Sequence, residues 1–510
     1  MTKPLTKFFR SLSTKSDFRF SSAKPLCRNV NFISAFPLVV LSCQSLGQMF
    51  SIQSSLVIAD GFGFNHPQIE LMADGQPGVL WTSASDNNVY FSKYDGLGSF
   101  SSPVQLNPAG VDAQTYSWSG PDLAVEGNNV YVAFKQDGYS TGHIYLVKSI
   151  DGGLSFGDTV RIDNLATGFG QYPDIAVLND TLYVTFMAHD ATGMNPQYVV
   201  SRSTDGGLSF ETEVLAGELL GNEACDCCPP EIIATASEVV IFFRDNNSDI
   251  RDIKAIISED RAVTFTTSFS PDDHSWNITS CPSTGPDARI RENNNCITVY
   301  RSEFDDSAKI YVNEYNLTTA TDAGTAEIRS ATGSHLSVNY PQLYTEDESA
   351  VVVWEETDQN TDVFINASGT GPLGFEPANS FNITDSSGNQ VKPDVALKDG
   401  VIHVVYASNA TLNLRYVQLI SPLVSVACNT NKIANVLVYP NPAGGWISLL
   451  SETVLHDESK WSISDITGRI LASDNWNGQK IDISNLESGD YLLTFESADR
   501  ANYVKFTVRR

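Results

Sequence analysis

Four cysteines and a band of strand-ending charges are the residues of this sequence best placed to do chemistry. Three cysteines crowd one stretch, Cys225-Asp226-Cys227-Cys228-Pro229-Pro230, and Cys281 stands in the corresponding stretch one repeat later. Grouped thiols pair as disulfides where the compartment is oxidising, or hold a soft cation such as zinc or copper(I). We expect disulfides, with Cys281 joined to one of the three and a second link inside the tight loop. No cofactor and no metal ligand are expected, and metal at Cys225, Cys227, Cys228 and Cys281 is the minority reading. The charges are Lys135, Arg244 and Arg301, each ending an aromatic-rich run, with His189, Asp245, Glu303 and Glu355 at or beside equivalent positions. Arg251 and Trp276 fall between Arg244 and Cys281. Guanidinium forks bind carboxylates bidentately, and an indole face can stack on a sugar. Lys135, His189, Arg244, Arg251, Arg301 and Trp276 are therefore the candidates for holding an anionic or polyhydroxylated ligand. The alternative is that these charges are solvated loop residues paired with one another. Asp245, Glu303 and Glu355 are the candidate catalytic carboxylates, but their separation, which decides glycoside-hydrolysis chemistry, is not readable from sequence.

What must position these residues is a repeat. A proline, then an acidic or amide residue, then an apolar run recurs seven times, at Pro67-Gln68, Pro121-Asp122, Pro173-Asp174, Pro230-Glu231, Pro286-Asp287, Pro341-Gln342 and Pro393-Asp394, at spacings of 52 to 57 residues. Each unit carries β-branched and aromatic runs of strand length, such as Asn129-Val130-Tyr131-Val132-Ala133-Phe134, and accommodates a four-stranded propeller module with long loops. Between the third and fourth strands sits a turn phrase, Ser149-Ile150-Asp151-Gly152-Gly153-Leu154-Ser155-Phe156, repeated as Ser203-Thr204-Asp205-Gly206-Gly207-Leu208-Ser209-Phe210. Its glycines permit a tight turn, its Asp and Ser can bond backbone amides within it, and Phe plugs the sheet. The frame returns in weaker form at Ser258–Phe265. The seventh unit stops after three strands near Ile420, and Ser55–Ala59 could supply the fourth and leave no free edge.

The turn phrase resembles the Asp-box, or BNR repeat, of sialidase-like β-propellers, with Asp151, Gly153, Phe156, Asp205, Gly207 and Phe210 as its structural residues. The resemblance implies an all-β fold, a seven-bladed or alternatively six-bladed Asp-box β-propeller over 48–423, with the boxes on the face opposite the ligand site. Sialidases use three arginines, a tyrosine nucleophile with a glutamate, and an aspartic acid, the first arginine in an Arg-Ile-Pro phrase of the first blade. Here no arginine lies between Arg28 and Arg161, so the first-blade arginine is absent and enzymatic activity is uncertain.

The 510-residue chain has 60 acidic against 32 basic side chains and a net charge of -28, which excludes nucleic acid and anionic membranes as expected partners. Residues 1–47 read as an export signal, a basic stretch followed by the apolar run Phe32–Leu41, and no later segment is apolar enough to span a membrane. After a linker at 424–435, residues 436–510 read as a small β-sandwich. This segment, with Val438-Tyr439-Pro440-Asn441-Pro442 and Ile463-Ser464-Asp465-Ile466-Thr467-Gly468-Arg469, resembles the C-terminal sorting domain of type IX secretion. The combined expectation is a monomeric protein, secreted or anchored at the bacterial surface, that recognises an extracellular glycan or other anionic or polyhydroxylated ligand and meets the type IX secretion machinery through its C-terminal domain. A glycoside hydrolase or lyase is the alternative.

Overall fold

The computed structural model describes residues 50–331, 336–384, 387–424, 437–440, 443–450, 460–465, 470–475, 480–497 and 500–509. The expected signal, the linker beyond Val424 and Cys428 lie outside these residues.

Seven antiparallel sheets follow one another along the chain from Ser51 to Ile420. Each is a meander of four strands, and the fourth sheet carries one further short strand, Glu223–Ala224. The first strands of the sheets are Phe64–Leu71, Asp122–Glu126, Phe169–Leu178, Glu231–Ala234, Asp287–Ile290, Ser337–Glu346 and Gln390–Lys398. Each packs on the first strand of the next sheet, and the seventh packs on the first, so the array is a closed β-propeller. The seventh sheet takes its outer strand from the N-terminal end, where Ser51–Asp60 pairs antiparallel with Asn413–Ile420.

The repeated Pro-Asp phrase has a physical reason. Asp122 accepts the Ile175 N–H at 2.9 Å, Asp174 that of Ile232 at 3.0 Å and Asp394 that of Ile69 at 2.8 Å, while Asp287 accepts from Leu343. Every one of these bonds runs from one sheet to another, and the Asp394 bond joins the last sheet to the first. A carboxyl oxygen that accepts a buried amide satisfies a donor that would be costly to leave unpaired. These aspartates therefore tie neighbouring sheets together at the axis. Asp122, Asp287 and Asp394 share a cavity of about 250 Å³ with Glu70, Glu231 and Arg289. The Arg289 guanidinium meets Glu70, Glu231 and Asp287 at 3.3, 3.4 and 3.5 Å.

The residue before the phrase's proline is bent. His66, Tyr172, Tyr340 and Lys392 have φ of 43°, 55°, 48° and 55°, each at a break in strand register. Such bulges re-aim side chains. Where glycine takes this place, a Cβ on Gly120 would strike His66, and one on Gly285 the Pro229 carbonyl. The pre-proline residues thus crowd each other around the axis.

The Ser-x-Asp turns bond internally as their sequence suggests. Ser203 accepts the Gly207 N–H at 2.9 Å, and Asp205 accepts the Leu208 and Ser209 N–H groups, both at 3.0 Å. Asp151 and Asp260 accept the N–H groups of Ser155 and Thr264 in the same way, at 2.9 and 2.8 Å. The turns also grip the preceding sheet, with Lys148 donating to the Gly206 carbonyl at 3.2 Å and Arg202 to that of Arg261 at 2.8 Å.

Beyond the ring, a three-stranded and a four-stranded sheet, between Leu437–Tyr439 and Arg500–Val508, share one apolar core that includes Val438, Ile447, Ile463, Ile481 and Phe506.

Candidate functional site

Antiparallel meanders alternate faces, so the connections between sheets and the turns after second strands open on one face and the Ser-x-Asp turns on the other. All the charges singled out from sequence lie on the former. Their side chains, however, point inward. Arg244 is fully buried, and its guanidinium donates to the Thr284, Arg251 and Arg301 carbonyls at 3.1, 2.6 and 2.8 Å. Arg301 donates to the Val338 carbonyl at 2.9 Å and to Glu303 at 2.6 Å. Trp276, 3% exposed, lies between these two cations, 5.0 Å from each, so its indole is a packing element with no open face for a sugar. Arg251 donates to the Ile278 carbonyl and to Cys225 Sγ at 3.1 and 3.0 Å. Lys135 is buried and closes its own loop, donating to the Gly142 and Gly138 carbonyls at 2.6 and 3.2 Å, and burial pushes its ammonium down to about 8. Five of the six ligand candidates are thus spent inside the protein, because a buried cation without partners is costly.

The catalytic candidates are engaged too. Glu303 is paired with Arg301. Glu355 is buried, accepts the Lys392 N–H at 2.6 Å and stands 4.0 Å from its ammonium. Asp245 is buried, accepts from Asn222 at 3.1 Å, and burial raises its carboxyl while one oxygen has no partner.

The cysteines do converge. Cys227 is bridged to Cys281, and Cys225 and Cys228 are free thiols 3.0 Å apart. The Cys228 hydrogen bond and the nearby Arg251 and Arg244 charges bring the Cys225 thiol down to about 6, against its burial. Cys296, in the strand Asn295–Ser302, is buried in an apolar cluster.

His189 leads to what the sequence reading missed. It is 4% exposed, stacks on Phe169 at 4.9 Å, and neither ring nitrogen has a partner in hydrogen-bond geometry; burial lowers its pKa. Tyr139, 48% exposed, lies 6.3 Å from the same ring. Tyr116 and Trp118, half-buried, stack on each other at 4.7 Å. Gln171 ties this group together, donating to the Tyr139 carbonyl at 2.5 Å and accepting from Gln114 at 3.2 Å. Trp118 also lines a second cavity at the mouth of the axial channel, with His66, Thr284 and Tyr340. The exposed Asp226 faces both Tyr139 and His189. The group is therefore an aromatic patch with hydrogen-bonding edges at the second and third sheets. Its signal was available as Tyr116-Ser117-Trp118 and Tyr139, aromatics inside polar connections.

Residues 437–509 match the family described as the secretion system C-terminal sorting domain. The protein is secreted or anchored at the bacterial surface. Its sorting domain engages the type IX secretion machinery, and among the described residues no helix is long and apolar enough to cross a membrane. No curated protein matches the sequence. Solved structures similar to the chain include polysaccharide lyase Uly1, at 11% identity over 72% of this chain and 99% of that one, with a TM-score of 0.46. A Dyadobacter fermentans protein of unknown function matches at 11% over 73% and 99%, TM-score 0.43. The NanB sialidase of Streptococcus pneumoniae matches at 12% over 72% and 70%, TM-score 0.38.

Proposed function

We propose that the chain is a seven-bladed Asp-box propeller, followed by a C-terminal β-sandwich, that binds an extracellular glycan. The ligand we infer is polyhydroxylated and uncharged, and it sits on the aromatic patch of the second and third blades. The observation that carries this reading is the stacked Tyr116–Trp118 pair together with Tyr139, 48% exposed, and the exposed Asp226 that faces it. Sugars stack their C–H faces on aromatic rings and bond their hydroxyls to polar edges. An anionic ligand is disfavoured, since the arginines that would have received its carboxylate donate to backbone carbonyls instead and the chain carries a net charge of -28. Binding is favoured over hydrolysis because Glu303 and Glu355 are each held by a cation.

Affinity electrophoresis of the secreted protein through gels containing neutral or acidic polysaccharides tests the reading. Retardation by at least one neutral polysaccharide is expected, and Tyr139→Ala with Trp118→Ala should abolish it while leaving the unfolding transition in place. Retardation that survives both substitutions would sink the proposal. Release of reducing ends from the same polysaccharides would favour the hydrolase reading.

A further inference from the structure

The four cysteine sulfurs lie within 4.8 Å of one another, where the connections into the fourth and fifth sheets meet. Cys225 and Cys228 are buried, Cys227 is half-buried and Cys281 is exposed. Outside the Cys227–Cys281 bridge, the separations Cys225–Cys227, Cys225–Cys281 and Cys227–Cys228 are each 3.9 Å. Four thiolates around zinc at about 2.3 Å stand about 3.8 Å apart. Half the edges of that tetrahedron are already in place.

Charge is the second observation. Arg244 and Arg251 are 0% and 7% exposed, and neither forms an ion pair with a carboxylate among the described residues. Two buried cations need two negative charges near them. Zinc bound by four thiolates carries a net charge of about -2, whereas a Cys227–Cys281 bridge removes two of the four sulfurs from ionisation. The third observation is the outer layer of donors. Arg251 reaches Cys225 Sγ at 3.0 Å, and the Thr284 backbone N–H faces the Cys228 sulfur. N–H groups bonded to ligand atoms orient metal ligands and hold their charge.

We propose that this cluster, once the Cys227–Cys281 bridge is reduced, is a tetrathiolate site for one zinc ion, with Arg244 and Arg251 as its buried counter-charges. A dithiol or phosphine reductant breaks the sulfur–sulfur bond, supplying two electrons while two protons pass to the sulfurs, and is itself oxidised. Zinc then forms four bonds to sulfur, and the thiol protons leave to solvent. The site is independent of the glycan reading.

The test uses the full secreted chain, either oxidised or reduced anaerobically with a phosphine, passed over a desalting column after addition of zinc alone. One zinc per reduced chain and none per oxidised chain is expected by elemental analysis. Cobalt in place of zinc should give thiolate-to-metal charge-transfer absorption with intense tetrahedral bands. Cys281→Ser, at the exposed corner, should no longer retain zinc, and Arg251→Met should weaken retention about 10-fold or more. A reduced wild-type chain that retains no zinc overturns the proposal, as does a Cys281→Ser chain that binds as tightly as wild type. If that variant does not fold, the cobalt spectrum of the wild type decides, and weak octahedral bands without charge transfer overturn it.

Discussion

Asp394 shows how one carboxylate can hold a ring and burden it. Its two oxygens accept the Ile69 and Val395 N–H groups at 2.8 and 2.7 Å, tying the last sheet to the first. Burial, with the neighbouring Asp287, pushes its carboxyl up to about 8. Because the folded state holds this proton more tightly than the unfolded chain, its contribution is fully present below about pH 4. It is lost as pH rises from there towards 8. Asp394→Asn keeps an acceptor for Ile69 and removes the charge. Urea unfolding at pH 5 and pH 8.5 should show a fall in stability for the wild type that exceeds the variant's by at least about 1.4 kcal/mol, the equivalent of one pKa unit. Equal falls would refute this account. At this scale the sequence located residues well and orientations badly. Arg244 and Arg301 do occupy equivalent strand ends, but which way a guanidinium turns depends on carbonyls supplied by other sheets.

The Ser-x-Asp turn is the element whose sequence is most explicit. Gly153 has φ 87°, and a Cβ there would run into the Phe91 ring of the preceding sheet; Gly207, at φ 89°, faces Leu146 in the same way. Each glycine meets two demands at once, a left-handed backbone and close approach to a neighbouring sheet. Gly153→Ala should therefore cost about 1–3 kcal/mol from backbone strain and overpacking. Because the turn lies on the face opposite the aromatic patch, polysaccharide retardation at temperatures where the variant stays folded should be unchanged. Chemical denaturation and the gel assay read these two outcomes separately, and a stability loss below about 0.5 kcal/mol would contradict the packing argument. The pre-proline bulge was far less legible. The period of the phrase marks its place, but nothing local announces that His66, Tyr172, Tyr340 and Lys392 take positive φ, since that follows from seven strands crowding one axis.

For the molecule as a whole, closure rests on the strand Ser51–Asp60. Without it, Asn413–Ile420 becomes a free edge with unpaired backbone groups, a template for association. A chain beginning after Asp60 should aggregate or unfold at a temperature lower by at least about 5 °C, seen by scanning calorimetry and light scattering. A truncated chain that stays monomeric with an unchanged transition would show that this strand is dispensable. The seven phrases, the turn motif and the C-terminal sorting segment were readable from the sequence alone, because each is local, with strand periodicity, turn chemistry and spacing written in neighbouring residues. The Cys227–Cys281 bridge was narrowed to a few pairings by position in the repeat. What only the tertiary structure decided is which side chains remain free. The expected charged rim is consumed by carbonyls and counter-charges of its own loops and of adjacent sheets, because burial and partnership are set by how the sheets pack and not by the order of residues along the chain.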